Sequence, residues 1–173
     1  MNKFLPDIYQ ESIYTINYEK LKKRGIKCIL FDLDNTLAPT DVKTPSQKLI
    51  DFVSDLKNMG FKVVIFSNSH KGRILPFKEG LMVDAAYLCR KPFKGKFLKI
   101  MKIYGFKEDE IAIVGDQLLT DILGGNKVNI TTILIKPVAV KDGIFTKVNR
   151  FIEKRIFKNL ENNKLIEKGK YYE

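Results

Sequence analysis

At 173 residues the chain has the length of one domain and can bury a core without disulfide or metal staples. Its composition, 45% hydrophobic and 29% charged, is that of an ordinary globular protein, and no run approaches the roughly 18 uncharged apolar residues that span a bilayer, which excludes an integral membrane helix. The net charge of +11 favours anionic partners, and Cys28 and Cys89, with no Cys-x-x-Cys pair or histidines at metal spacing, point to a reduced compartment and exclude a zinc site.

Residues Met1 to Gln10 lack the charged and apolar regions of a signal peptide, so the expected location is cytoplasmic. Leu5 to Leu21 shows no clean period and reads as an arm with weak helix, part of an N-terminal arm over 1–25. Ile26 to Phe31 is short, apolar and β-favouring, a buried strand. Pro45 to Met59 has Leu49, Ile50, Phe52, Val53 and Leu56 at helical spacing, with Thr44 as N-cap and Gly60 just past the end. Lys62 to Phe66 is a second buried strand, followed by a helix interrupted near Pro76. Val83 to Leu88 predicts a short strand, Lys94 to Tyr104 a helix closed by Gly105, and Glu110 to Val114 a strand. A turn at Gly124-Gly125 leads to a last strand at Thr131 to Ile135. Pro137 to Asp142 reads as a loop, and Ile144 to Leu165 as a basic amphipathic helix with Phe145, Val148, Ile152, Ile156 and Phe157 near helical spacing. Alternating strands and helices imply an α/β fold of three layers, with a parallel sheet covered on both faces, over a single domain at 1–173 whose basic tail is 144–173.

In such a sheet ligands bind beyond the carboxyl ends of the strands. The chemistry-bearing residues fall there: Asp32 and Asp34 after the first strand, Ser67 and Asn68 after the second, Lys91 after the third, Asp116 and Asp121 after the fourth. Carboxylates converging on one point repel unless a cation sits among them, and hard oxygen ligands suit magnesium. Lys91 and the Ser67 hydroxyl supply the positive charge and donor that a phosphoryl group needs. Asp, Asn and Thr after a strand also serve as turn and cap residues, so a lone Asp-x-Asp would carry little.

Here four motifs stand in order over about 90 residues: Asp32-x-Asp34-x-Thr36, Ser67 at a strand end, Lys91-Pro92, and Gly115-Asp116-Gln117-Leu118-Leu119-Thr120-Asp121. This set resembles the haloacid dehalogenase (HAD) superfamily of phosphatases, and the resemblance implies a Rossmann-like HAD fold. It further implies that Asp32 attacks phosphorus to form an aspartyl phosphate and that Asp34 is the general acid and base. Asp32, Asp116 and the backbone carbonyl of Asp34 would hold Mg2+, with Asp121 a direct or supporting ligand. Ser67, Asn68 beside it, and Lys91 would bind the phosphate. His70, Lys71 and Arg73 remain possible leaving-group contacts, and Arg90 a possible substitute for Lys91.

Leu37 to Lys62 and Ser69 to Leu88 are too short to carry a cap domain, so the site is expected to be open to bulky substrates. The uncapped layout, the fourth motif and Leu5-Pro6-Asp7-Ile8-Tyr9 look like the small bacterial YqeG family, which is similar to phosphatidylglycerophosphate phosphatases. That implies a phosphomonoester substrate with an anionic lipid head group, phosphatidylglycerophosphate giving phosphatidylglycerol. Residues 136–173 hold 10 Lys/Arg against 5 Asp/Glu, a pattern suited to peripheral contact with an anionic inner membrane surface and also to a solvated face or to RNA. A soluble nucleotide or polynucleotide phosphatase and a non-catalytic RNA- or ribosome-binding module are the competing readings, nucleic acid being less favoured because no RNA-binding motif accompanies the basic tail.

Overall fold

The apolar runs pair into one parallel sheet in the computed structural model, which describes residues 3–139 and 144–173, the side chains of 144–148 excepted. The strands are β1 (Ile8–Gln10), β2 (Cys28–Phe31), β3 (Lys62–Phe66), β4 (Asp84–Ala86), β5 (Ile111–Gly115) and β6 (Thr131–Ile135), in the order β1-β6-β5-β2-β3-β4. Every pairing is parallel. Layers on both faces explain why β2 and β5 are buried at every residue and read as continuous apolar runs.

Alternate side chains feed opposite faces. On one, Ile29, Phe31, Val63 and Ile65 form a core with Leu21, Leu49 and Phe77 from α1 (Tyr18–Lys23), α2 (Gln47–Asn58) and α3 (Lys71–Leu81). On the other, Cys28, Leu30, Val64 and Phe66 meet Phe97 and Ile100 of α4 (Lys94–Tyr104). A third cluster joins Tyr9 and Leu134 of the sheet to Leu160 of α6 (Ile144–Asn162) and to Ile166 beyond it.

Several expectations change. The arm holds a strand: β1 pairs with β6, anchored where Asp7 accepts hydrogen bonds from the Thr132 backbone N–H (2.8 Å) and hydroxyl (3.0 Å). Three residues after a proline are too few to show a period. The N-cap of α2 is Ser46 and not Thr44, its hydroxyl accepting from Leu49 N–H at 3.2 Å. α3 runs through Pro76, because the bond proline cannot make would go to the Gly72 carbonyl in an exposed first turn. Gly124 and Gly125 form no turn but sit in α5 (Leu123–Lys127), where a Cβ on Gly125 would lie 2.5 Å from Thr132 Cγ2 and 2.8 Å from Ile113 Cγ2. Gly125 lets α5 lie close against the sheet, and Gly124 lets it lie close against Phe97 of α4. The predicted strand at 83–88 is shorter, and α6 ends at Asn162 and not Leu165. Residues 140–142 of the predicted loop, and the side chains of Phe145 and Val148, lie outside the described residues.

The basic tail packs on the domain. After α6 the chain returns to the sheet edge, where Tyr9 and Tyr172 exchange two backbone hydrogen bonds of 2.9 Å and cover β1.

Candidate active site

From β2 the chain crosses to β3 on one side, while β5 pairs on the other, so the strand order reverses between β2 and β5. That crevice is the ligand-binding switch point of an open α/β sheet. Asp32 leaves the end of β2 and Asp116 the end of β5, with Asp32 N–H bonded to Val114 O at 2.9 Å.

Lys91 is the hub. Its side chain is 2% exposed, and its ammonium donates to Asp32 Oδ1 (2.8 Å), Asp121 Oδ1 (2.6 Å) and the Phe66 carbonyl (2.9 Å). Three acceptors satisfy the three N–H bonds of a buried ammonium. Arg90, by contrast, is exposed. Asp121 is fully buried on a single π-helical turn, Leu118–Ile122, and its second oxygen accepts from Gln117 N–H at 3.2 Å. Gly115 makes room for it, since a Cβ there would collide with the Asp121 carboxylate.

Carboxylate oxygens of Asp32, Asp116 and Asp121 lie within 4.8 Å of one another. Asp116 accepts from the Thr36 hydroxyl at 3.4 Å through Oδ1, while its buried Oδ2 accepts no hydrogen bond and faces Arg150 Nη2 at 3.9 Å. Burial pushes Asp32 up to about 7 against the pull of Lys91, with Asp121 adding to the rise. Asp116 is raised well above the ordinary carboxylate range by burial and then by Asp32 and Asp121. Burial disfavours the Lys91 ammonium, yet Asp121 and Asp32 outweigh it and leave Lys91 raised. Three buried carboxylates crowding one ammonium, with an oxygen that accepts no hydrogen bond, are a donor set that fits a hard divalent cation. The Asp34 carboxylate is not in this cluster, so its contribution to such a cation is confined to its main chain.

Asp34 is held elsewhere. It accepts from the Ser69 hydroxyl at 2.6 Å and from Arg73 Nε at 2.9 Å, and Arg73 also donates to the carbonyls of Val42 and Pro39. Arg73, a possible leaving-group contact from the sequence, is here the partner that positions Asp34. Ser67 is buried, and its Oγ accepts from Ser69 N–H at 3.1 Å. Asn68 grips the Lys91 backbone in both directions, accepting from its N–H (2.7 Å) and donating to its carbonyl (3.2 Å), so its amide orients the lysine loop. His70 and Lys71 are exposed at the start of α3. Asp32, Asp34, Ser67, Lys91 and Thr120 share a cavity of about 260 Å³ that opens with no domain above it among the described residues.

Two residues escaped the sequence reading. Arg150 and Glu153 come from the basic tail: Arg150 reaches Asp116, and Glu153 accepts from Leu119 N–H at 2.9 Å beside Asp121, with burial pushing it up to about 7. Helical spacing marked their segment as amphipathic, but nothing in it says which neighbour the helix meets.

Comparison with known proteins agrees with this geometry. A HAD-hydrolase-like family model matches residues 88–150, and a mitochondrial PGP phosphatase model matches residues 1–73. The chain is 41% identical over 158 residues to the protein named probable phosphatase YqeG of Bacillus subtilis (strain 168), covering 91% of this chain and 92% of that one. It is 30% identical over 148 residues to phosphatidylglycerophosphate phosphatase 1, chloroplastic/mitochondrial, of Arabidopsis thaliana, covering 78% of this chain but 41% of that protein. Among solved structures, 3-deoxy-D-manno-octulosonate 8-phosphate phosphatase of Moraxella catarrhalis, a complex with magnesium, phosphate and KDO, has the same fold. It superposes with a TM-score of 0.51 at 15% identity, over 85% of this chain and 99% of that one.

Proposed function

Because the chain belongs to the YqeG family of the HAD superfamily and is a HAD-type phosphatase, we propose that it hydrolyses phosphomonoesters through an aspartyl phosphate at Asp32. The observation that carries this reading is the buried ammonium of Lys91, bonded at once to Asp32 and Asp121 at the switch point. A carboxylate held in this way has one fixed orientation, which is what attack in line with a leaving group requires.

In the first step an Asp32 oxygen forms a bond to phosphorus, the bond to the leaving oxygen breaks, and Asp34 delivers its proton to that oxygen. In the second, Asp34 takes a proton from water, the water oxygen attacks phosphorus, and inorganic phosphate departs from Asp32. Ser67 and Lys91 would hold the phosphoryl oxygens, Lys91 by exchanging its bond to Asp32 for one to the phosphate as that carboxylate attacks, and Asn68 holds Lys91 in place. Asp32, Asp116 and the Asp34 main-chain carbonyl are the residues that would hold Mg2+. Asp121, with both oxygens already accepting hydrogen bonds, supports from behind. When bound, the cation offsets the charge of the carboxylates, which would otherwise repel an anionic substrate.

For the substrate we favour phosphatidylglycerophosphate, converted to phosphatidylglycerol. The relative in Arabidopsis and the PGP phosphatase model over residues 1–73 support it, as does a mouth with no domain above it. Exposed apolar residues have backbone bonds or chain neighbours among the residues of the site: Val42, whose carbonyl binds Arg73; Leu88, whose N–H bonds to Ser69 O; Val138, whose N–H bonds to Asn35 O; and Phe151, next in the chain to Arg150. Together with the net charge of +11 they suit a peripheral stance on an anionic membrane. No helix among the described residues is long and apolar enough to cross one. Reading residues 1–173 as one unit, arm and tail included, is supported by the Tyr9 and Tyr172 pairing.

The test is phosphate release, with Mg2+, from phosphatidylglycerophosphate and from a panel of nucleotides. Preferred turnover of the lipid supports this reading. Equal or better turnover of nucleotides sinks the lipid assignment and leaves the phosphatase.

A further inference from the structure

Between α6 and the carboxyl end of β6 runs a groove of about 370 Å³ that has Asp116 of the catalytic crevice in its lining. Asp116 and Arg150 stand at its inner end. Its walls are apolar, with Leu118, Leu134 and Phe157 among them, and its rim carries Lys136, Lys154 and Lys158. These three lysines are exposed and form no ion pair among the described residues. The groove's carboxylates are hydrogen-bonded to main chain: Glu153 accepts from Leu119 N–H, and Glu161 from Lys168 N–H at 3.0 Å. Five cations line the groove, Lys168 among them, against Asp116, Glu153 and Glu161, so it offers an excess of positive charge along apolar walls, the complement of an anion that carries a hydrocarbon tail.

We propose that this groove holds the acyl-bearing phosphodiester of an anionic phospholipid whose terminal phosphate sits at Asp32. The proposal rests on the lipid reading above and assigns the part of the molecule that does not react. Arg150, Lys154 and Lys158 follow one another at four-residue intervals, so their Cα atoms step along the helix by about 6 Å each. A three-carbon glycerol separates the two phosphates of phosphatidylglycerophosphate, which places the diester one step out from the crevice, by Lys154 and Lys158. The acyl chains then follow the apolar wall outward.

The test is calorimetric titration of the intact protein with dihexanoyl phosphatidylglycerol below its micelle concentration. Wild type is compared with the double variant Lys154→Glu, Lys158→Glu, and with Lys99→Glu as a control on an exposed face of α4. All three lysines are exposed, and matched melting curves confirm folding. The expected result is binding at least tenfold weaker in the double variant and unchanged in the control, with deacylated glycerophosphoglycerol binding at least tenfold more weakly than the lipid. No binding by wild type, equal binding by the double variant, or inorganic phosphate displacing the lipid with equal affinity would each overturn the groove. Hydrolysis separates the two readings. Turnover of phosphatidylglycerophosphate with no groove effect removes the groove alone, whereas groove binding without turnover removes the substrate assignment alone.

Discussion

Replacing Lys91 by methionine keeps most of the side-chain volume and removes one charge. The ammonium makes three hydrogen bonds of 2.6–2.9 Å, two to carboxylates, and the side chain is 2% exposed, so solvent cannot take its place. Deleting one member of a buried ion pair typically costs about 3–5 kcal/mol, because the partner charge stays buried. In a chain of this length that lowers the melting temperature by about 6–20 °C, a loss that a stability of about 5–15 kcal/mol survives. The cost depends on pH. Asp32 has a folded pKa of about 7, above its ordinary 3.8, so ionising it opposes folding, and in wild type that penalty builds up between about pH 4 and pH 7 and is constant above. Without Lys91 the carboxylate is raised further, so in the variant the penalty goes on growing above pH 7, by up to about 1.4 kcal/mol per pH unit, and the variant's deficit is larger at pH 8 than at pH 5. Circular dichroism melts of Lys91→Met and wild type at the two pH values measure this. A variant that melts within about 2 °C of wild type at pH 8, a shift worth less than about 1 kcal/mol at this chain length, would refute the view that Lys91 neutralises the buried acids.

Other consequences are separable. Because Asp32 and Asp116 both have raised pKa values, binding Mg2+ must expel protons, so its affinity should tighten from pH 6 to pH 8 and Asp116→Asn should abolish it. Calorimetry in buffers of differing ionisation enthalpy reads the proton count, and pH-independent binding would contradict the site. Gly125→Ala pushes a methyl group against Thr132 and Ile113 and should cost about 1–3 kcal/mol by denaturant titration; no loss would mean that α5 can move off the sheet. Ser46→Ala removes the α2 cap and should cost about 1 kcal/mol while leaving turnover intact, whereas Thr44→Ala should cost nothing measurable.

How much of this could be read beforehand depended on the range of the interactions. The central strands were legible because a sheet covered on both faces demands continuous apolar runs, and β3 and β6 fall at the predicted residues. The ends of α4 were legible because Gly105 takes a positive φ of 70° that stops the helix. Asp32, Ser67, Lys91 and Asp116 could be placed because each follows a strand, and parallel strands bring their carboxyl ends together. β1 was hidden because its stability comes from pairing with β6 and from Asp7 bonding Thr132, more than 120 residues away. The Gly124-Gly125 pair was misread for a related reason: its purpose is close approach, of Gly125 to Ile113 and Thr132 and of Gly124 to Phe97, which only the packed fold reveals. The sequence shows that Asn68 and Arg73 are near the site but not that they grip Lys91 and Asp34, since each bond crosses more than 20 residues. Arg150 and Glu153 depend on how α6 docks, and an amphipathic period does not name its partner.

The most direct test of the account is a single-turnover quench with a substrate labelled in its phosphoryl group, followed by peptide mapping. The account predicts a transient, hydroxylamine-labile acyl phosphate on Asp32 that forms before phosphate is released and is absent in Asp32→Asn. Phosphate released at full rate with no label on Asp32 would contradict it.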